Sequence, residues 1–145
     1  FKTSLIMEES NIKANIHKGE ELEELISLFT EEGMIVSIER NKLDYLYDAN
    51  AILKTRIISF PQHDESRINS IIREMNNYSN ISYNDYNKLI LFMATSSHNP
   101  LKMEEVNQIV SRISCKFKDI TECLWGMTTD EKLEDKLLVM VVCGN

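Results

Sequence analysis

Between Lys88 and Ala94 the chain reads Lys-Leu-Ile-Leu-Phe-Met-Ala, apolar nearly throughout. So short an apolar run, with no polar side chain alternating into it, predicts a strand buried on both faces. A chain built around such a strand needs a sheet with further layers to cover it, and the flanking segments offer them. Ile52 to Phe60 is β-branched, apolar and closed by Pro61, which predicts a second strand. Between the two, Ile68, Ile71, Ile72 and Met75 recur at helical spacing, with Asp64 or Ser66 as the cap. Asn99-Pro100 suits the start of another helix, Asn as cap and Pro at the first helical position, with Val106, Ile109, Val110 and Ile113 as its core face. Phe117 to Met127 and Lys136 to Cys143 predict the last two strands, and the charged stretch Thr128 to Asp135 the hairpin between them.

The first third is patterned in the same way but more sparsely. Thr3 to Met7 predicts a short strand. From Gly19 to Glu32, Leu22, Leu25, Ile26 and Phe29 fall on one helical face, and four glutamates (Glu20, Glu21, Glu23, Glu24) lie where the helix dipole favours negative charge. Gly33 suits the left-handed residue that ends this helix, and Met34 to Ile38 predicts a strand. Asn41 to Asn50, rich in Tyr, Asp and Asn, fits neither period. The order β-α-β, then β-α-β-α-β-β, predicts the α/β class: a sheet with helices packed on it, mixed because its last two strands form a hairpin, plus an N-terminal β-α-β extension.

Charge narrows the function. The net charge is -7, with 11 acidic against 5 basic side chains in residues 1–50 and 12 against 11 in the rest. No excess of Lys and Arg is available to displace counterions, which argues against a nucleic-acid partner. No apolar run approaches the ~20 residues that span a bilayer, and Phe1 to Met7 lacks the features of a signal peptide. Cys115, Cys123 and Cys143 are odd in number and widely spaced, which predicts buried thiols in a reducing, cytoplasmic compartment rather than disulfides or a zinc site. His17, His63 and His98 sit singly in polar loops, with no metal-ligand spacing. The glycines, Gly19, Gly33, Gly126 and Gly144, stand far apart, so the chain has no Gly-rich phosphate loop and is expected to bind no cofactor or metal itself. Glu104-Glu105 and Asp130-Glu131 read as solvated charge pairs. Both chain ends look cut, as though one domain had been taken from a longer protein.

From about Arg67 onward, several features stand in a known order. An Arg after acidic residues opens a helix (Asp64-Glu65-Ser66-Arg67), and the strand Lys88 to Thr95 follows. Then come Leu101-Lys-Met-Glu-Glu-Val-Asn-Gln-Ile-Val110, Leu124-Trp125-Gly126 with Asp130-Glu-Lys-Leu133, and Leu137 to Gly144. In this order and spacing the segment resembles the C-terminal domain of FtsZ, the bacterial tubulin homologue of cell division, with Ile52 to Phe60 as that domain's first strand. Ser96-Ser97 stand where the family has Gly-Gly, and Glu131 where it has Pro.

The resemblance implies an α/β fold of the α+β two-layer sandwich kind, with a mixed, mainly four-stranded sheet and helices packed on it, and a domain of a GTP-dependent polymer, its partner another copy of the parent protein. It also implies that GTP is held by a separate upstream domain. The family's C-terminal domain offers a loop Asn-x-Asp-x-x-Asp whose acids reach the next subunit's GTP. Here the counterpart is Asn41-Lys-Leu-Asp44-Tyr-Leu-Tyr-Asp48, longer by one residue at each step, and Asp44 and Asp48 become the catalytic candidates, acting in trans. The other reading of Asp44 and Asp48 is that of loop and cap residues before Ala49 to Leu53. The division expected is residues 1–48 as an acidic extension or remnant of a preceding module, and 49–145 as the FtsZ-like domain. The alternative function is a free-standing α/β module that binds a protein partner or small ligand, its acidic face steering a basic surface.

Overall fold

The computed structural model describes residues 12–15, 20–30, 35–77 and 83–145. Five strands form one sheet: β1 (Ile12–Asn15), β2 (Ile52–Ile58), β3 (Lys88–Thr95), β4 (Glu122–Thr129) and β5 (Leu138–Gly144), in the spatial order β1-β2-β5-β3-β4. β3 and β4 are parallel, while β5 runs antiparallel to both its neighbours, β2 and β3. The four expected strands are present, and β1 extends the sheet antiparallel to β2. The strand predicted at Thr3 to Met7 lies outside the described residues.

The helices are α1 (Glu20–Thr30), α2 (Arg67–Asn76) and α3 (Met103–Ser114). The crossovers β2-α2-β3 and β3-α3-β4 step the same way along the sheet. With one handedness, they must lay both helices on one face. That face buries Ile71, Ile109 and Ile113 against Leu89, Leu91, Met93, Val139 and Val141. The two-residue alternation of β3 sends Ile90, Phe92 and Ala94 to the opposite face, where Leu22, Leu25 and Ile26 of α1 cover them together with Leu43 and Leu46. The two-layer unit of sheet and helices thus gains a third layer from the N-terminal extension.

Several expectations are corrected. Thr128 to Asp135 is not a hairpin: it carries the chain from β4, at the edge, across β3 to β5 in the interior. All seven residues of β5 are buried, and only a central position hides both faces and both edges of so apolar a strand. The sheet is mixed because β5 inserts between β2 and β3. Of the strand expected at Met34 to Ile38, Met34 lies outside the described residues and the rest contributes one bridge, Val36 opposite Met127. β4 begins at Glu122, five residues later than Phe117, whose ring instead packs in the α2/α3 core 5.1 Å from that of Tyr83. Helix α3 starts at Met103 with Lys102 as its cap, not at Pro100. Ser66 caps α2, accepting Asn69 N–H at 3.1 Å, whereas Asp64 takes a positive φ of 63° outside the helix.

Candidate functional site

The segment that fitted neither period, Asn41 to Asn50, holds a 3-10 helix over Arg40–Tyr47. Its three-residue repeat explains the sequence: Leu43, Leu46 and Ala49 are spaced by three and all are buried. They pack where β5 ends, so a Cβ on Gly144 would lie 3.6 Å from a Leu46 methyl and 3.8 Å from that of Ala49. The same repeat places Asn41, Asp44 and Tyr47 on a second face and Lys42, Tyr45 and Asp48 on a third. Asp44 and Asp48 are both exposed. They belong to adjoining faces rather than one, so their carboxylates do not form a stacked pair. Asp48 also closes the helix, its N–H donating to Tyr45 O at 3.1 Å, which realises the cap role beside any other.

Two tyrosines anchor this helix. Tyr47 donates its phenol to Glu23 of α1, tying the acidic extension to the segment that carries Asp44. Tyr45 leans on the α1-side core beneath Lys88, whose ammonium lies 5.2 Å from the ring centre. Its hydroxyl is buried and finds no hydrogen-bond partner among the described residues, and burial, with the nearby Glu122 charge, pushes its pKa up. Here β2, β3 and β4 begin and β5 ends. Asn145 clasps the strands, accepting Asn50 N–H on its carbonyl (3.1 Å) and Ala51 N–H on its side chain (3.0 Å), and donating its amide to Asp85 O (3.1 Å). Sequence reasoning missed the Tyr45–Lys88–Glu122 grouping, since no local pattern links residues so far apart. The period of Leu43, Leu46 and Ala49 was a signal for the helix itself.

At the other end of the sheet, a polar cleft of about 620 Å³ opens beside Arg67, His98, Lys102, Glu104, Glu105 and Asp135. Glu105 is not a freely solvated charge: Arg67 holds it, and those hydrogen bonds keep its carboxyl below the usual range. Glu131 likewise accepts from Ser97, backbone and hydroxyl, and is lowered by those bonds. His63 is exposed beside Asp64, and His17 lies outside the described residues. Of the three thiols, Cys143 is buried as expected and its pKa pushed up to about 12; Cys123 is half-buried and raised by the same cause; Cys115 is exposed at the end of α3, contrary to expectation. Among the described residues no group of His, Cys, Asp and Glu has the arrangement of a metal site, and no helix is long and apolar enough to cross a membrane.

No family model matches the chain, and no curated protein matches its sequence. Solved structures do match its backbone. The FtsZ dimer of M. jannaschii superposes over 83% of this chain with a TM-score of 0.65 at 18% identity. This is an FtsZ/tubulin-like fold. TubZ of Bacillus thuringiensis serovar israelensis shares it more distantly: its GDP-form protofilaments match 79% of the chain (TM-score 0.52) and its GTPγS-form protofilament 83% (TM-score 0.51), each at 10% identity. The FtsZ-like chain spans about a third of the length of these proteins, 34% of FtsZ and 31% to 32% of TubZ.

Proposed function

We propose that this chain is the C-terminal domain of an FtsZ/tubulin-like, GTP-dependent polymerising protein of the cytoplasm, and that it makes contacts between subunits. The observation that carries the reading is the FtsZ backbone match over 83% of the chain, which agrees with the family order of elements from Arg67 to Gly144. TubZ protofilaments among the matches support self-association, and their GDP and GTPγS forms support GTP as the parent protein's nucleotide. In this reading residues 49–145 are the FtsZ-like unit, and residues 1–48 are an acidic extension whose helix α1 covers the sheet's second face. The end of the sheet bearing the 3-10 helix faces the next subunit, and Asp44 and Asp48 offer carboxylates to its GTP. Water activation over a phosphate is a matter of placement and field, which exposed acids on a braced helix can supply.

The test uses the full parent protein. GTP, but not GDP, drives it into sedimenting polymer, and Asp44→Ala and Asp48→Ala each slow GTP hydrolysis at least tenfold while GTP binding persists. Unchanged hydrolysis in both variants removes the two acids from the reaction and leaves the polymer contact standing. A parent protein without an upstream GTPase domain overturns the proposal as a whole and leaves the free-standing binding module.

A further inference from the structure

The 3-10 helix that carries Asp44 and is closed by Asp48 runs for eight residues, Arg40–Tyr47. This winding, with its poorer hydrogen-bond geometry, seldom persists beyond about four residues by itself, so contacts from outside must hold it. Helix α1 supplies them on two sides. Leu43 and Leu46 lie in one buried cluster with Leu22, Leu25 and Ile26 of α1. On the exposed side, the Tyr47 phenol donates to the Glu23 carboxylate. Glu23 adjoins Leu22, so the apolar and the polar contact come from the same stretch of α1. Tyr47 falls three residues after Asp44, on the same face, and immediately before Asp48. One anchor thus stands between the two acids.

Both acids are exposed, so the winding of the backbone beneath them decides where their carboxylates lie. From Asp44 to Asp48, 3-10 winding turns about 120° past a full circle and α winding about 40°. A slip from one to the other swings Asp48 about 80° against Asp44, far more than the placement of a water over a phosphate tolerates. We propose that Tyr47 and Glu23 are positioning residues: their hydrogen bond holds the acid helix in its 3-10 winding, and through it α1 sets the rate at which the next subunit's GTP is hydrolysed. The proposal rests on the reading of Asp44 and Asp48 given above. It gives the N-terminal extension a part in hydrolysis, separate from covering the sheet. Neither side chain needs to touch the nucleotide, since Tyr47 acts through the backbone that bears the acids.

The test uses the full parent protein and reads GTP hydrolysis, GTP affinity, the critical concentration for polymer, and amide exchange across residues 40–49. Tyr47→Phe keeps the ring and loses one hydrogen bond, so kcat falls about threefold to tenfold while GTP affinity and critical concentration stay as they were. Exchange across residues 40–49 rises about threefold. Glu23→Ala has the same effects, and Glu23→Gln, whose amide oxygen still accepts the phenol, recovers most of the lost kcat. Tyr47→Phe joined to Glu23→Ala loses no more than either change alone. Asp44→Ala and Asp48→Ala, measured alongside, separate the two claims. If they slow hydrolysis and Tyr47→Phe does not, the positioning role is overturned and the acids keep theirs. If neither acid matters, the reading of the site fails and this proposal with it. The positioning role is equally overturned by additive losses in the double variant, by unchanged exchange, or by a raised critical concentration, which would make Tyr47 a subunit contact. Where Tyr47→Phe fails to fold, Glu23→Ala, at an exposed position of α1, carries the same test.

Discussion

Arg67 holds Glu105 in a two-bond fork, Nε to Oε2 at 2.9 Å and Nη2 to Oε1 at 2.8 Å, across the starts of α2 and α3. The same guanidinium donates to the carbonyl oxygens of Asn99 and Pro100 at 3.0 and 3.1 Å, and Glu105 also accepts Lys102 N–H at 3.1 Å. One ion pair therefore fixes two helix starts and the connection between β3 and α3.

Arg67→Lys keeps the charge and loses the fork, since an ammonium cannot present two parallel donors. The variant is expected to lose about 1–2 kcal/mol of stability in urea unfolding. Combined with Glu105→Gln, the losses are less than additive, because each change already breaks the same contact. Additive losses would show that the two side chains act separately.

The Glu105 carboxyl sits below its ordinary value of 4.5 in the folded chain, held there first by its Arg67 hydrogen bonds. As pH falls, the unfolded state takes up this proton before the folded state does. The contribution is therefore complete above about pH 4.5 and drains away below it. Urea midpoints followed from about pH 6 to pH 3 fall in the native chain and fall less steeply in Glu105→Gln. Equal slopes would exclude Glu105 from the acid transition.

Glu134 takes φ 56° and ψ -110°, a region that side chains rarely enter and glycine enters freely. Its carbonyl accepts the Ser96 hydroxyl at 2.6 Å, a bond that survives any change of side chain. Glu134→Gly is expected to stabilise the chain by about 1 kcal/mol, seen as a raised urea midpoint. A lowered midpoint would mean that the Glu134 side chain contributes more than its backbone strain costs.

Thiol labelling separates the three cysteines. Cys115, exposed, reacts at once with a maleimide; Cys123, half-buried with a raised pKa, follows more slowly; Cys143, buried and pushed up to about 12, waits for unfolding. Mass spectrometry of partly labelled chains checks that order, and early labelling of Cys143 would contradict its central place in the sheet.

The sequence was legible where one period ruled and neighbours agreed with it. The apolar run at Lys88 to Ala94 announced a strand covered on both faces, and the stripe from Ile68 to Met75 announced its helix. It misled where distant residues decide. Asn99-Pro100 has the composition of a helix start, but the Arg67 guanidinium takes both carbonyls, and α3 begins later, at Met103. Thr128 to Asp135 has the composition of a hairpin, but the seven buried residues of β5 demanded the interior of the sheet, not its edge. At the candidate site, a motif marks the segment carrying Asp44 and Asp48, while its geometry depends on a period of three, spelled by Leu43, Leu46 and Ala49, that matches neither a strand nor an α-helix.

The position of β5 also sets an order of events. On one side of it lie β1 and β2, on the other β3 and β4, and among the described residues no rung of the ladder joins those two pairs directly. A ribosome releases β5 after all four of its companions. Until then the nascent chain holds two half-sheets, each with an apolar margin facing a gap. The last strand made is the keystone, so a premature stop before Leu138 leaves two incomplete halves rather than a slightly shorter domain.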